Sequence, residues 1–263
     1  MDRLTFKDYL DNSSLRHILW RNIELEALKP IKYSEPIMDV ACGDGFFGSK
    51  LFKETMITGF DISLNALRGA KKKENYNRIF AADACYIPVK DMSFKTVFSN
   101  SVFEHIPHVE LALKEVSRVL AEGGSFIFTV PNEKFSEYLF VSDVLSKIGL
   151  RGLSQIYKNK VNEFLKHKNL DSLDIWKQRL QQAGLRIDKV IYYLPKRVVY
   201  LWDILFLPAY ISDCFYKIFK KRAKFPFRAR LGSFLNDIAE RWQCDNKDGA
   251  AMLILAAKDN NGN

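Results

Sequence analysis

Between residues 37 and 131 short apolar runs alternate with segments of helical apolar spacing, and this alternation most limits what the chain can fold into. "PIMDVA" reads as a first strand ended by glycines and "FFGSKLF" as a helix. "MITGFDIS" reads as a second strand ending at Asp61, and "LNALRGAKKK" as a helix with its lysines in the last turn. "NRIFAADA", "FKTVFSNSV" and "GGSFIFTVP" continue as strands, with "VELALKEVSRVL" as the helix before the last of them. Strands joined through helices demand right-handed crossovers, hence a parallel sheet wound on both faces. Ligands of such sheets lie beyond the carboxyl ends of the strands, where the winding direction reverses.

Outside this stretch, residues 5–28 have apolar positions at helical spacing and predict one or two helices. Residues 133–184 look helical, with Gly184 placed to stop "DIWKQRLQQAGL"; "RIDKVIYYLP" and "GAAMLILAAK" then read as two final strands. The expectation is an α/β fold, a doubly wound and mostly parallel sheet of seven strands in a single domain over residues 1–263. Residues 1–30 would be N-terminal helices, 133–180 a helical insertion, and 195–247 a basic hydrophobic insertion forming a lid.

The 263 residues are 48% hydrophobic, enough for a sizeable core, and contain no low-complexity tract apart from the polar tail "KDNNGN". The start, "MDRLTFKDYLDNSSL", carries acidic residues and no uninterrupted apolar core, so it predicts neither a secretory signal nor a membrane span and points to the cytoplasm. Cys42, Cys85, Cys214 and Cys244 lack the paired spacing of a zinc site or the density of a disulfide framework, and read as reduced, packed thiols with no metal.

Gly43, Gly45 and Gly48 spell GxGxxG at a strand–turn–helix junction, and Asp61 follows Gly43 by 18 residues at the end of the next strand. Glycines there let backbone approach a ligand at a helix amino terminus, and the acidic residue suits a ribose diol. NAD and S-adenosylmethionine (SAM) both present that diol, so the turn alone leaves both open. The flank decides. Asp39, four residues before Gly43, would repel a pyrophosphate and suit the sulfonium and ammonium of SAM.

"IMDVACGDG", "GFDIS", "AADACYIPVKDMSFKTVFSNSVFEHI" and "ALKEVSRVLAEGGSFIFTVPN", in that order and spacing, resemble the class I SAM-dependent methyltransferases with their Rossmann-like sheet, particularly the small-molecule branch that includes quinone-biosynthesis enzymes. The resemblance covers residues 35–132 well and implies SAM as cofactor. It also implies that Asp39, Gly43 and Gly45 surround the methionyl part and that Asp61 accepts from both ribose hydroxyls. Asp83 would hold the adenine amino group beside the Ala84 backbone, with Ile62 and Ile87 on the adenine faces. Asn100 and Ser101 would lie near the methionine amine, and His105 near the sulfonium, as a general base or, on the plainer reading, together with Glu104 as an ordering residue of the loop. The family usually has glycine at Ala41, where one added methyl should be tolerated. It has a small or hydroxyl residue at Asp44, where a second carboxylate fits a cationic ligand.

Function beyond the cofactor has to be argued from the variable segments. Between Leu194 and Leu231 nine basic residues face two acidic ones, so this segment holds +7 of the +9 net charge. Asp203, Pro208 and Asp213 make it a poor bilayer span, while its aromatic and aliphatic residues ending in a cationic cluster suit either an anionic membrane surface, through residues 196–230, or a lid packed on the sheet. Nucleic acid is disfavoured, because the aromatics sit among Leu, Ile and Val and not among the basic residues. The favoured reading is methyl transfer to oxygen or carbon of a small hydrophobic or lipid-like acceptor, at the inner face of the membrane if the segment binds lipid. An RNA methyltransferase and a non-catalytic SAM-binding partner subunit remain the alternatives.

Overall fold

The structure is a computed structural model, and it describes residues 15–206 and 248–258. The expectations on residues 5–14, on 207–247 of the basic segment, on Cys214 and Cys244, and on the tail after 258 lie outside the described residues.

Seven strands form one sheet in the order β3-β2-β1-β4-β5-β7-β6. They are β1 (Ile37–Val40), β2 (Ile57–Asp61), β3 (Tyr76–Ala81), β4 (Phe94–Asn100), β5 (Leu120–Pro131), β6 (Leu185–Tyr193) and β7 (Ala251–Lys258). Strands β3, β2, β1, β4 and β5 pair in parallel, and β7 runs antiparallel to β5 from Ser125↔Ala257 to Pro131↔Ala251. The order reverses between β1 and β4, which puts the switch point at the end of "IMDV". This is the doubly wound, mostly parallel sheet that the alternation predicts.

The helices are α1 (Leu15–Leu28), α2 (Phe46–Leu51), α3 (Leu64–Ala70), α4 (Val109–Val119), α5 (Lys134–Glu137), α6 (Phe140–Lys147), α7 (Arg151–Leu165) and α8 (Leu173–Gln182). In α4 the buried residues Val109, Ala112, Leu113 and Val116 recur at i, i+3, i+4 and i+7, the stripe that seats a helix on a sheet. Ser63 caps α3 by accepting from the Ala66 N–H at 3.3 Å. Gly184, at φ +73°, ends the turn after α8 as predicted.

By contacts the chain forms two compact units. One comprises Leu28–Glu133, Lys166–Ile191 and the residues from Ala251 on; the other comprises residues up to Ala27, Lys134–Leu165 and Tyr192–Ala250. The first unit contains the sheet. Its core includes Phe103, Phe126, Phe128 and Trp176, with Phe126 and Phe128 stacked at 4.4 Å and Trp176 meeting Phe128 edge-on at 5.4 Å.

The described residues of the second unit are mostly helical and are organised by aromatics and two buried carboxylates. Trp20 of α1 packs on Phe135 at 5.5 Å and on Trp202 at 6.1 Å. Glu24 of α1 accepts from the Trp20 indole at 2.7 Å and the Tyr193 hydroxyl at 3.0 Å, and pairs with Arg21 at 2.6 Å. Residues 196–206, the start of the basic segment, are helical, with Val198, Val199, Trp202 and Phe206 buried. Asp203, expected to count against a membrane span, is buried here. It accepts from the Val141 N–H at the start of α6 and from the Tyr157 hydroxyl, and these bonds oppose the rise in its pKa that burial causes. These first three turns of the segment therefore bury Val198, Val199, Trp202 and Phe206 inside their own unit, while Ile204 is exposed.

Candidate functional site

Where β1 ends, three residues in a row of five take left-handed backbone: Ala41 at φ 53°, Gly43 at 59° and Gly45 at 70°. The Gly45 N–H returns to the Cys42 carbonyl at 3.0 Å, and the Cys42 N–H donates to Phe60 of β2 at 2.8 Å. Asp61 ties the two strand ends together: its Oδ2 accepts from the Gly43 N–H at 2.9 Å and its Oδ1 from the Ser63 N–H at 2.7 Å. Each of its oxygens thus keeps a second lone pair, and a Cβ built on Gly43 would meet nothing within 4 Å. The open side of the turn is at Gly43, beside the Asp61 carboxylate.

The other glycines answer to a residue the sequence pattern did not single out. A Cβ on Gly48 would lie 2.2 Å from the Tyr76 hydroxyl and 2.6 Å from Asp39, one on Gly59 would lie 2.5 Å from the Tyr76 ring, and one on Gly45 would lie 3.0 Å from that ring and 2.9 Å from Ala70. Tyr76, at the start of β3, slides its ring beneath the turn, and its hydroxyl donates to Asp39 Oδ2 at 2.5 Å. Gly48 and Gly45 are both held to glycine by packing.

Asp39 is buried under the turn. Burial pushes its pKa up to about 7, the charge of Asp61 adds to the rise, and the Tyr76 hydrogen bond opposes it. The same surroundings raise the Tyr76 hydroxyl and the Cys42 thiol, so both stay protonated. Asp44 is exposed, and its Oδ1 accepts from the Phe46 N–H at 3.0 Å, closing an Asx turn at the entrance to α2. That local bond accounts for the second carboxylate without a ligand.

Ala41 shows a cost different from the added methyl considered above. An alanine at φ 53° carries about 1–2 kcal/mol of steric penalty that glycine lacks. Glycine adds unfolded-state entropy of about 0.4–1 kcal/mol, so Ala41→Gly is expected to stabilise the chain by about 0.5–1 kcal/mol in urea unfolding. Unchanged or lower stability would show that the strain has been absorbed elsewhere.

The remaining predicted site residues fall on the loops at the carboxyl ends of β2, β3 and β4. Ile62 follows Asp61 and is exposed. Asp83, exposed, accepts from the Cys85 N–H at 2.9 Å; Ala84 beside it is buried. Ile87 is also buried, its N–H donating to Glu115 and its carbonyl accepting from Arg118. Tyr86, between them, is an exposed ring that sequence reasoning passed over. Asn100 accepts from the Thr129 hydroxyl at 2.9 Å, and Ser101, at φ 52°, donates its N–H to Thr129.

His105 closes a short 3-10 turn, Phe103–His105. Its Nδ1 lies 3.1 Å from the Lys166 carbonyl, its Nε2 is 3.7 Å from Glu104, and its ring stacks on His167 at 5.6 Å. A carbonyl can only accept, so this bond requires the proton on Nδ1 and leaves proton exchange to Nε2. His167 is driven down to about pKa 3, chiefly by burial and further by His105, and is neutral near pH 7. Asn169 donates to the Phe103 and Ile106 carbonyls at 3.0 and 2.9 Å, strapping segment 166–169 to this turn. Among the described residues no cluster of His, Cys, Asp and Glu could hold a metal ion.

An open glycine turn, a carboxylate joining the ends of β1 and β2, and this strand order are the arrangement that nucleoside-binding α/β domains share. Residues 38–128 match the family described as "Methyltransferase domain". In that stretch and in its fold the chain is similar to the SAM-dependent methyltransferases. It is similar to a demethylmenaquinone methyltransferase of Staphylococcus haemolyticus, 29% identical over 203 residues, 70% of this chain and 82% of that protein. It is 34% identical over 140 residues to an uncharacterised protein of Methanocaldococcus jannaschii, covering 50% of this chain and 53% of that protein. The chain thus spans about half the length, or less, of some of the curated relatives it matches. A SAM-dependent methyltransferase from Thermotoga maritima shares the fold at TM-score 0.60 and 19% identity, over 97% of this chain and 94% of that one.

Proposed function

We propose that this protein transfers a methyl group from SAM to an oxygen or carbon of a small hydrophobic or lipid-like acceptor. The observation that carries the reading is Asp61, which orders the turn through Gly43 while keeping lone pairs toward the open side, with Asp39 buried below. Two carboxylates there suit a ribose diol next to a cation and disfavour a pyrophosphate. The similarity to a protein named as a demethylmenaquinone methyltransferase supports a quinone-like acceptor.

When bound, SAM supplies a methyl on a sulfonium whose departure leaves a neutral thioether, so much of the catalysis is positioning. In this reading Asp61 accepts from both ribose hydroxyls, Asp83 and the Ala84 backbone take the adenine edge, and Ile62 and Tyr86 flank its faces. The Gly43 and Gly45 backbone and Asp39 border the methionyl part, and Asn100 and Ser101 hold the amine. His105, with Nδ1 committed to Lys166, presents Nε2 to a proton leaving an acceptor hydroxyl or carbon acid.

Titration calorimetry is expected to show binding of SAM and none of NAD. Methyl-labelled SAM incubated with the protein and a quinone-containing lipid extract should then place label in the organic phase. Tight NAD binding would sink the cofactor reading; label appearing in RNA and not in lipid would sink the acceptor reading.

A further inference from the structure

The hairpin of α6 and α7 has its polarity turned inside out. Where the helices meet, Ser142, Ser146 and Ser154 join through their hydroxyls: Ser154 donates to the Ser142 carbonyl at 2.9 Å and accepts from Ser146 at 2.8 Å and from Ser142 at 2.7 Å. One proton and two lone pairs saturate the Ser154 oxygen, so these small polar groups are satisfied inside the hairpin. The large aliphatics lie outside. Ile148, Leu150, Leu153 and Ile156 are 63%, 44%, 52% and 57% exposed, and Leu153 and Ile156 share one face of α7.

Gly149 turns the chain at φ +84°, and a Cβ on Gly149 or Gly152 would meet nothing within 4 Å. Residues 144–162 contain Lys147, Arg151, Lys158 and Lys160 and no Asp or Glu. Lys147 and Lys160 reach Asp143 and Glu163 at 2.9 and 2.7 Å while remaining 72% exposed. Protein interfaces favour aromatic anchors, and residues 146–156 have none. Exposed aliphatics flanked by four cations, two of them paired with Asp143 and Glu163 at the edges of the hairpin, match a surface that is apolar below and diffusely anionic above. No helix among the described residues is long and apolar enough to cross a membrane.

We propose that the α6–α7 tip is a membrane-docking wedge for an anionic lipid bilayer. Ile148, Leu150, Leu153 and Ile156 enter the boundary between headgroups and acyl chains, and Arg151, Lys147, Lys158 and Lys160 sit among the headgroups.

The test is flotation of the full chain with phosphatidylcholine vesicles, with and without phosphatidylserine. The chain should float only with phosphatidylserine, and less so at high salt. The double variant Ile148→Asp, Leu153→Asp should lower vesicle affinity about tenfold or more, with an unchanged melting temperature and unchanged SAM titration. Failure of the wild type to float, or equal flotation of the variant, overturns the wedge. So does binding lost in Lys220→Glu, Lys221→Glu, Arg222→Glu but kept in the Asp variant. Self-association of the wild type that the Asp variant abolishes, with no vesicle binding, would assign the tip to a second copy of the chain instead.

Discussion

Asp61→Ala is expected to weaken SAM binding by about 3 kcal/mol or more, as read by titration calorimetry. Two hydrogen bonds from the ribose hydroxyls to a charged acceptor are each worth about 1.5–3 kcal/mol. The loss goes further, because the same carboxylate holds the Gly43 and Ser63 N–H groups and so shapes the turn it serves. Asp61→Asn separates the two contributions. Its single acceptor oxygen can keep one backbone bond but cannot accept on both sides, so it should fall between wild type and alanine. Wild-type affinity in the alanine variant would remove Asp61 from the cofactor site.

Asp39→Asn is expected to change the pH dependence of both stability and cofactor affinity. A carboxyl whose pKa rises from 3.8 to about 7 on folding stabilises the fold fully below pH 3.8, and loses that contribution as pH climbs through about 7. A rise of that size corresponds to about 4 kcal/mol as an upper bound. Asparagine imitates the protonated form at every pH. The variant should therefore exceed the wild type in urea unfolding at pH 8 by up to that amount, with the difference shrinking toward pH 4. Binding of a cation above the turn would favour ionised Asp39, so SAM affinity of the wild type should rise between pH 6 and 8 with release of a proton, and that of the variant should stay flat. Equal destabilisation of Asp39→Asn at pH 5 and pH 8 would contradict this account.

The order of strands and helices was legible because each element states its own period. The four-residue burial of "IMDV" and the i, i+3, i+4, i+7 stripe of α4 need no distant partner to be recognised. The placement of Asp61 was legible for a similar reason, since an acid at the end of the second strand lies beside the first turn in any βαβ unit. The reason for three of the glycines was not. Gly45, Gly48 and Gly59 are shaped around Tyr76, which lies 28 residues beyond Gly48 and carries no mark of its burial in the local sequence. His167 was missed in the same way: it meets His105 only because segment 166–169 is strapped to the 3-10 turn. The aromatic residues of 196–206 look amphiphilic in sequence, and their inward packing on Trp20 and Phe135 depends on α1 and α5, far away along the chain.

The pairing of β7 with β5 has a consequence for biosynthesis. Residues 120–131 leave the ribosome more than a hundred residues before residues 251–258, their antiparallel neighbours. During that interval the row Phe126, Ile127, Phe128 presents an unpaired edge of high β-propensity, the kind of template on which nascent chains join one another. Completion of the sheet waits on a contact of long sequence separation, so the growing chain is most exposed to aggregation before residues 251–258 have been translated.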